Sequence, residues 1–144
     1  MGGEGQPVVV IDTREQRPYR FASSVVRSLA TGDYSIEGME QRVAVERKTK
    51  ADAYSSLGGN RPRFEREMIR LREFEYGAIV VEATLCSFLH APAYSHLNPR
   101  SAAASLLAWS VKYGVHVFFA GDRRHGNAVT AQLLEKFWRY RRAA

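Results

Sequence analysis

Cysteine occurs once in 144 residues, as Cys86, which excludes an internal disulfide framework and any cysteine-rich zinc site. The four histidines, His90, His96, His116 and His125, show no metal-ligand spacing. No apolar run approaches the roughly 20 residues that a membrane-spanning helix needs, so no membrane partner is expected. The opening MGGEGQ lacks the basic and apolar regions of a signal peptide. Gln6 also stands where a myristoylation signal requires Ser or Thr. Residues 1–6 are expected to form a loose leader and residues 7–144 one domain, a length with little room for a second core. Internal repeats, low-complexity tracts and linkers are absent.

Positive charge, by contrast, is plentiful. There are 21 Lys and Arg against 15 Asp and Glu, a net charge of +6, and the pI lies near 9.8. Such an excess suits polyanions, nucleic acid first. Most of it is arginine, which grips phosphate bidentately where lysine does not.

Hydrophobic periodicity supplies the architecture. PVVVID (Pro7 to Asp12) reads as a buried strand ending in a carboxylate, and the polar loop TREQRPYRF follows. SSVVRSLA reads as a short helix or turn, and TGDYSIEGMEQRVAVERK as two strands joined around Gly38. TKADAYSSL is predicted helical until GGNRP breaks it. A second helix over Pro62 to Glu75 carries Phe64, Met68, Leu71 and Phe74 on one stripe. YGAIVVEA is a buried strand. NPRSAAASLLAWSVKYG is a helix with Asn98 as its cap, Pro99 in the first turn and Gly114 past its end. VHVFFAG is a strand, and GNAVTAQLLEKFWRYRR is the closing helix. The expected fold is α/β, a central mixed sheet flanked by helices on both faces. In such folds ligands gather at strand ends, where Asp12, Asp33 and Glu46 all fall.

The chemistry concentrates in VAVERKTKAD (Val43 to Asp52). Residues two apart on a strand face the same side, so Glu46 and Lys48 project together and Arg47 points away. An exposed Glu–Lys surface pair, worth a few tenths of a kcal/mol, is one reading of that spacing. A hairpin that brings Asp33 of TGDYSI beside Glu46 is the other. Two carboxylates at adjacent strand ends, with a lysine, suit Mg²⁺ or Mn²⁺, since hard cations take oxygen ligands and complete their shells with water.

GDY, then VERK, then Asp52 spell G-D…E-R-K-x-x-x-D, and this resembles the nuclease motif of the XPF-type structure-selective DNA endonucleases, a branch of the restriction-endonuclease-like superfamily. VVVIDTREQR resembles the opening strand of that family, SSLGGNRPRFEREMIRL the segment after the motif, and AIVVEA the next core strand. The resemblance is clear from Val8 to Ala83 and architectural beyond Leu85. It implies a restriction-endonuclease-like sheet, DNA as partner and a metal-dependent phosphodiester hydrolase. Carried over residue by residue, it places Asp12, Asp33 and Glu46 at the metal, and makes Lys48 the catalytic lysine. Arg47 and Asp52 match motif positions, with Arg14 and Glu15 in support. Arg47 is open between a salt bridge and a phosphate contact. Asp52 is open between the site and a capping box with Thr49.

Arg14, then Asn60, Arg61 and Arg63 just past the motif helix, and the basic turn Arg123–Arg124 are the candidate DNA contacts, the turn being equally readable as a solvated loop. Tyr34 and Tyr54 are open between packing, the favoured reading, and lining the groove, and Phe64 is expected to pack. Pairing, as a homodimer or heterodimer, is expected through the C-terminal helices. Their bulky residues are Leu106, Leu107, Trp109 and Val111, then Val129, Leu133, Leu134, Phe137, Trp138 and Tyr140. The alternative is that both helices cover one face of the sheet. Two further functions compete with a DNA nuclease: a catalytically silent DNA-binding or scaffold module of the same fold, and an RNA-processing nuclease. The intact motif argues against a silent module. The tandem helix-hairpin-helix and helicase segments of larger family members are not seen here, so a stand-alone nuclease or a fragment is expected. The corresponding location is cytoplasmic, or nuclear for a fragment of a eukaryotic protein.

Overall fold

A computed structural model describes residues 5–143. Of the expected leader, residues 1–4 lie outside the described residues, and Gly5 and Gln6 are exposed. Six strands build one sheet: β1 (Val9–Ile11), β2 (Ser24–Val26), β3 (Tyr34–Ile36), β4 (Val43–Thr49), β5 (Tyr76–Glu82) and β6 (His116–Phe119). Their order is β2-β1-β3-β4-β5-β6. β3 runs antiparallel to both β1 and β4, whereas β2 is parallel to β1 and β4, β5 and β6 are mutually parallel. The sheet is therefore mixed. The helices are α1 (Lys50–Leu57), α2 (Arg61–Arg72), α3 (Leu85–Phe88), α4 (Pro99–Tyr113) and α5 (Arg123–Arg141).

Strand parity sorts the core into two layers. Ala44 of β4 with Ile79 and Val81 of β5 face α1 to α4, packing on Tyr54, Phe64, Met68, Leu71, Phe88 and Leu106. Val43 and Val45, with Ala78 and Val80, face α5 through Leu134 and Phe137, and meet Tyr19 and Tyr34 at the sheet's other end. Helices thus cover both faces, and α4 and α5 lie on opposite ones. Phe64, Met68 and Leu71 are buried as their spacing predicts, with Phe74 partly buried beside them.

Two elements differ from expectation. Ser24–Val26 is an edge strand, not a helix or turn: the β-branched pair Val25–Val26 extends alongside β1, and Arg27 N donates to Ile11 O at 3.0 Å. α3 is a single turn that no period announces, capped by Thr84 Oγ1, which accepts from Ser87 N. Elsewhere the end signals hold. Asn98 caps α4, Pro99 opens it and Gly114 closes it. Among the described residues no helix is long and apolar enough to cross a membrane.

The bulk on α5 is taken up by the sheet: Leu134 and Phe137 are buried, with Val129, Leu133 and Trp138 packed against them, and only Tyr140 projects. On α4, Leu106 and Trp109 are buried, but Leu107 and Val111 are exposed.

Candidate active site

The end of β3 and the middle of β4 make the site. Asp33 N donates to Val45 O, and Asp33 O accepts from Asp12 N, both at 2.9 Å, so the backbone of Asp33 stitches the end of β1 to β4. Gly32 makes this approach feasible. Its φ is +83°, and a Cβ there would lie 3.1 Å from Ala44 Cβ and 3.3 Å from Val45 O. Asp33 Oδ2 then accepts from Arg47 N at 2.8 Å. The hairpin brings Asp33 and Glu46 to one cleft of about 330 Å³, which Lys48, Asp52, Arg63 and Glu67 also line.

Glu46 and Lys48 point into this cleft from the α1–α2 side of β4, with Lys48 Nζ 3.7 Å from Glu46 Oε2. The ammonium is caged. It donates to Ser56 Oγ of α1 at 2.9 Å, lies 3.5 Å from Glu67 Oε1 of α2, and sits 4.8 Å from the centre of the Phe64 ring. Arg47 faces the other layer. Its Nε donates to Glu82 Oε2 at 2.7 Å, its Nη1 donates to Arg17 O at 3.0 Å and lies 3.5 Å from Glu15, and the guanidinium covers Tyr19 at 4.8 Å. Glu15 Oε2 in turn accepts from the Tyr34 hydroxyl at 2.5 Å, and Glu82 from that of Tyr19.

The carboxylates are electrostatically frustrated. Burial, then the charges of Glu15 and Asp12, push the Asp33 carboxyl up to about 7, although the Arg47 N–H and Lys48 pull it down. Burial, then the charge of Asp33, lifts Glu46 well above the usual carboxylate range. Asp12 behaves oppositely. Burial raises its carboxyl, but Arg14 and the N–H groups of Leu29 and Arg14 outweigh burial and hold it low. Both Asp12 oxygens are engaged, one by Leu29 N at 2.8 Å and the other by Arg14 Nε at 2.7 Å. Asp12 therefore lines the neighbouring cleft with Asp33 and Glu46 as an anchored group.

The other candidates divide. Asp52 plays two parts: its N–H is capped by Thr49 Oγ1 at 3.0 Å, while its exposed carboxylate sits at the lip of the cleft. Asn60 and Arg63 line the same cleft, and Glu15 and Asp52 also line a second opening with Arg14 and Arg47. Arg61, Arg123 and Arg124 are not brought there. Arg61 donates to Leu57 O and Ser105 Oγ and lies 4.7 Å over Trp109, tying α1, α2 and α4 together. Arg123 donates to Pro18 O and covers Tyr19, and Arg124 is exposed on α5. The sequence passed over Ser56, Glu67 and Glu82. The one signal for Glu67 was its position four residues after Arg63, on the same side of a helix.

Among the described residues no three His, Cys, Asp or Glu side chains converge closely enough to hold a metal by themselves. Asp33 and Glu46 are two oxygen donors that the Arg47 N–H and Lys48 compensate only in part, a set that suits a hard cation completing its shell with water and phosphate.

The family description "ERCC4 domain" matches residues 11–133. The chain belongs to the ERCC4 domain family. The fold agrees: XPF from Aeropyrum pernix superposes with a TM-score of 0.73 at 25% identity over 96% of this chain and 64% of that one. XPF from Aeropyrum pernix in complex with DNA gives a TM-score of 0.71 at 27% identity, over 92% and 64%. This ERCC4 domain therefore spans less than two thirds of the chains it matches. No functionally curated protein matches its sequence.

Proposed function

We propose that this ERCC4 domain is a Mg²⁺- or Mn²⁺-dependent DNA endonuclease acting on branched, flapped or otherwise distorted DNA. One observation carries the reading: Asp33, Glu46 and Lys48 share a single cleft in which burial and neighbouring negative charge raise both carboxyls. Asp33 and Glu46 would hold the metal, with Asp12 bracing the loop behind Asp33. When bound, the ion lowers the pKa of a water and offsets charge on the phosphodiester. Lys48 stands beside Glu46, where its ammonium would orient an attacking water or stabilise the negative charge that develops on phosphorus. Arg47 holds β4 from the far face and presents its N–H to Asp33.

A nicking assay on labelled flapped DNA, linear duplex and RNA, with Mg²⁺ or with EDTA, tests this. Metal-dependent cleavage of the flapped DNA that Glu46→Ala abolishes, with DNA binding retained, is expected. DNA binding without cleavage would establish the silent module, and cleavage confined to RNA the RNA nuclease.

Pairing belongs to the same proposal. With α5 absorbed by the sheet, the exposed i, i+4 pair Leu107 and Val111 on α4 is the surface offered to a second copy. Doubling the basic surface would strengthen the phosphate-driven part of affinity. Light scattering is expected to show a dimer, and a monomer for Val111→Glu. A monomer of the wild type that cleaves efficiently would sink the pairing.

A further inference from the structure

A second cleft of about 190 Å³ adjoins the first. The two share Asp33, Glu46, Arg63 and Glu67, so they form one continuous groove. The second part adds Arg70 on the α2 side, with Arg14, Thr31 and Gly32 across from it. Arg63 and Arg70 stand seven residues apart, two helical turns, on one side of α2 and about 10 Å apart along its axis. Glu67 lies between them at spacings that normally pair opposite charges on a helix. Its carboxylate instead meets Lys48 at 3.5 Å. Among the described residues neither arginine side chain makes a hydrogen bond, ion pair or ring contact. Two unneutralised guanidinium groups therefore line a groove that leads directly from the paired carboxylates. Arg14, opposite, is fixed by Asp12 and by Leu29 O, which its Nη2 reaches at 3.1 Å.

We propose that Arg70 binds a backbone phosphate of the substrate strand flanking the scissile one, with Arg63 nearer the scissile phosphate itself. The ligand is a nucleic-acid phosphodiester, gripped by charge-assisted hydrogen bonds that carry no base information. The helix spacing sets the division: Arg63 borders the carboxylates, and Arg70 reaches the next stretch of strand. This rests on the nuclease reading above, and it adds the direction in which the strand leaves the site.

Binding of labelled flapped DNA in EDTA, at several salt concentrations, tests it without reference to catalysis. Arg70→Ala is expected to weaken binding about tenfold near physiological salt. It should also reduce the salt slope by roughly 0.7 to 0.9, the loss of one phosphate contact. Arg70→Lys should recover part of the affinity. Arg72→Ala, a change on the same helix outside both clefts, should do neither. Substrates with a single methylphosphonate then locate the contact: the wild type should be weakened at one position flanking the cleavage site, and Arg70→Ala should be indifferent there. Equal losses for Arg70→Ala and Arg72→Ala would reduce the effect to a diffuse field and overturn the subsite. So would equal sensitivity of wild type and Arg70→Ala to every methylphosphonate. A wild type that neither binds nor cleaves nucleic acid would overturn the nuclease reading itself, whereas a cutting enzyme indifferent to Arg70→Ala would overturn only the subsite.

Discussion

Replacing Asp33 with Asn should stabilise the protein in the absence of metal while abolishing the cleavage proposed for it. The carboxyl is carried from its ordinary 3.8 up to about 7, chiefly by burial. At about 1.4 kcal/mol per tenfold change in proton affinity, holding it ionised above pH 7 costs at most about 4 kcal/mol. Sharing of that strain with Glu46, and partial exposure at the cleft mouth, reduce the expected figure to about 2 kcal/mol. Asn removes the charge but keeps an oxygen for the 2.8 Å bond from Arg47 N. For a chain of this length about 2 kcal/mol corresponds to roughly 4–8 °C in Tm. The sign follows from linkage. The unfolded carboxyl titrates near 3.8 and the folded one near 7. Between those values the folded state binds the extra proton, so stability falls as pH rises. The penalty is absent below about pH 4 and complete above about pH 7. Thermal melts in EDTA should therefore place Asp33→Asn above wild type at about pH 8, with the two converging near pH 4. Mg²⁺ should raise the wild-type Tm and leave the variant unmoved. A variant that melts at or below wild type at about pH 8 in EDTA would refute the claim that burial and neighbouring charge destabilise the ionised Asp33 carboxylate.

Lys48→Arg keeps the charge but cannot seat a planar guanidinium among Ser56, Glu46, Glu67 and Phe64. Its turnover should fall roughly a hundredfold with little change in Mn²⁺ affinity by titration, and near-normal turnover would reduce Lys48 to a surface charge. Glu67→Gln should slow cleavage about tenfold in the wild-type background and add nothing in a Lys48→Met background, since Glu67 acts through the lysine; additive losses would contradict that. Gly126→Ala should lower the unfolding free energy by about 1–3 kcal/mol in denaturant titrations, because a Cβ there overlaps the Tyr19 hydroxyl and lies 3.3 Å from Glu82 Cγ. Unchanged stability would mean that the Tyr19–Glu82 contact yields easily.

Where local pattern and tertiary demand coincide, the sequence was legible. β4 and β5 are long and apolar enough to declare themselves, α2 shows its buried stripe, and α4 shows cap, proline and glycine in order. The juxtaposition of Asp33 with Glu46 was legible because a short hairpin around Gly38 leaves few ways to pair β3 with β4. Three-residue β2 was not, since its conformation comes from pairing with β1, which no local pattern encodes. The same limit hid Ser56 and Glu67, whose role depends on how α1 and α2 pack over Lys48. It also misplaced Arg61, whose position beside Asn60 and Arg63 in sequence concealed a helical turn toward Trp109. The apolar count on α5 overstated its free surface because the face of the sheet it covers is wider than one helix stripe suggests.

The three consecutive residues Glu46, Arg47 and Lys48 divide one task between two faces of the sheet. Alternation sends Glu46 and Lys48 into the cleft beneath α1 and α2, where the first faces Asp33 and the second is held by Ser56 and Glu67. It sends the Arg47 side chain through to the α5 side, where Glu82 and Glu15 flank the guanidinium and Tyr19 backs it. Burial lowers the proton affinity of that guanidinium, but the hydrogen bond to Glu82 more than restores it, so it stays charged. A lysine there would offer a single point charge in place of donors to both Glu82 and Arg17 O. Meanwhile the Arg47 backbone N–H, on the strand edge, holds Asp33 Oδ2. One residue thus clamps the strand from behind and orients a carboxylate in front. An inserted or deleted residue between Glu46 and Lys48 would exchange the faces and bury the lysine against α5. The spacing of the motif is therefore a consequence of the two-residue period of the strand that carries it.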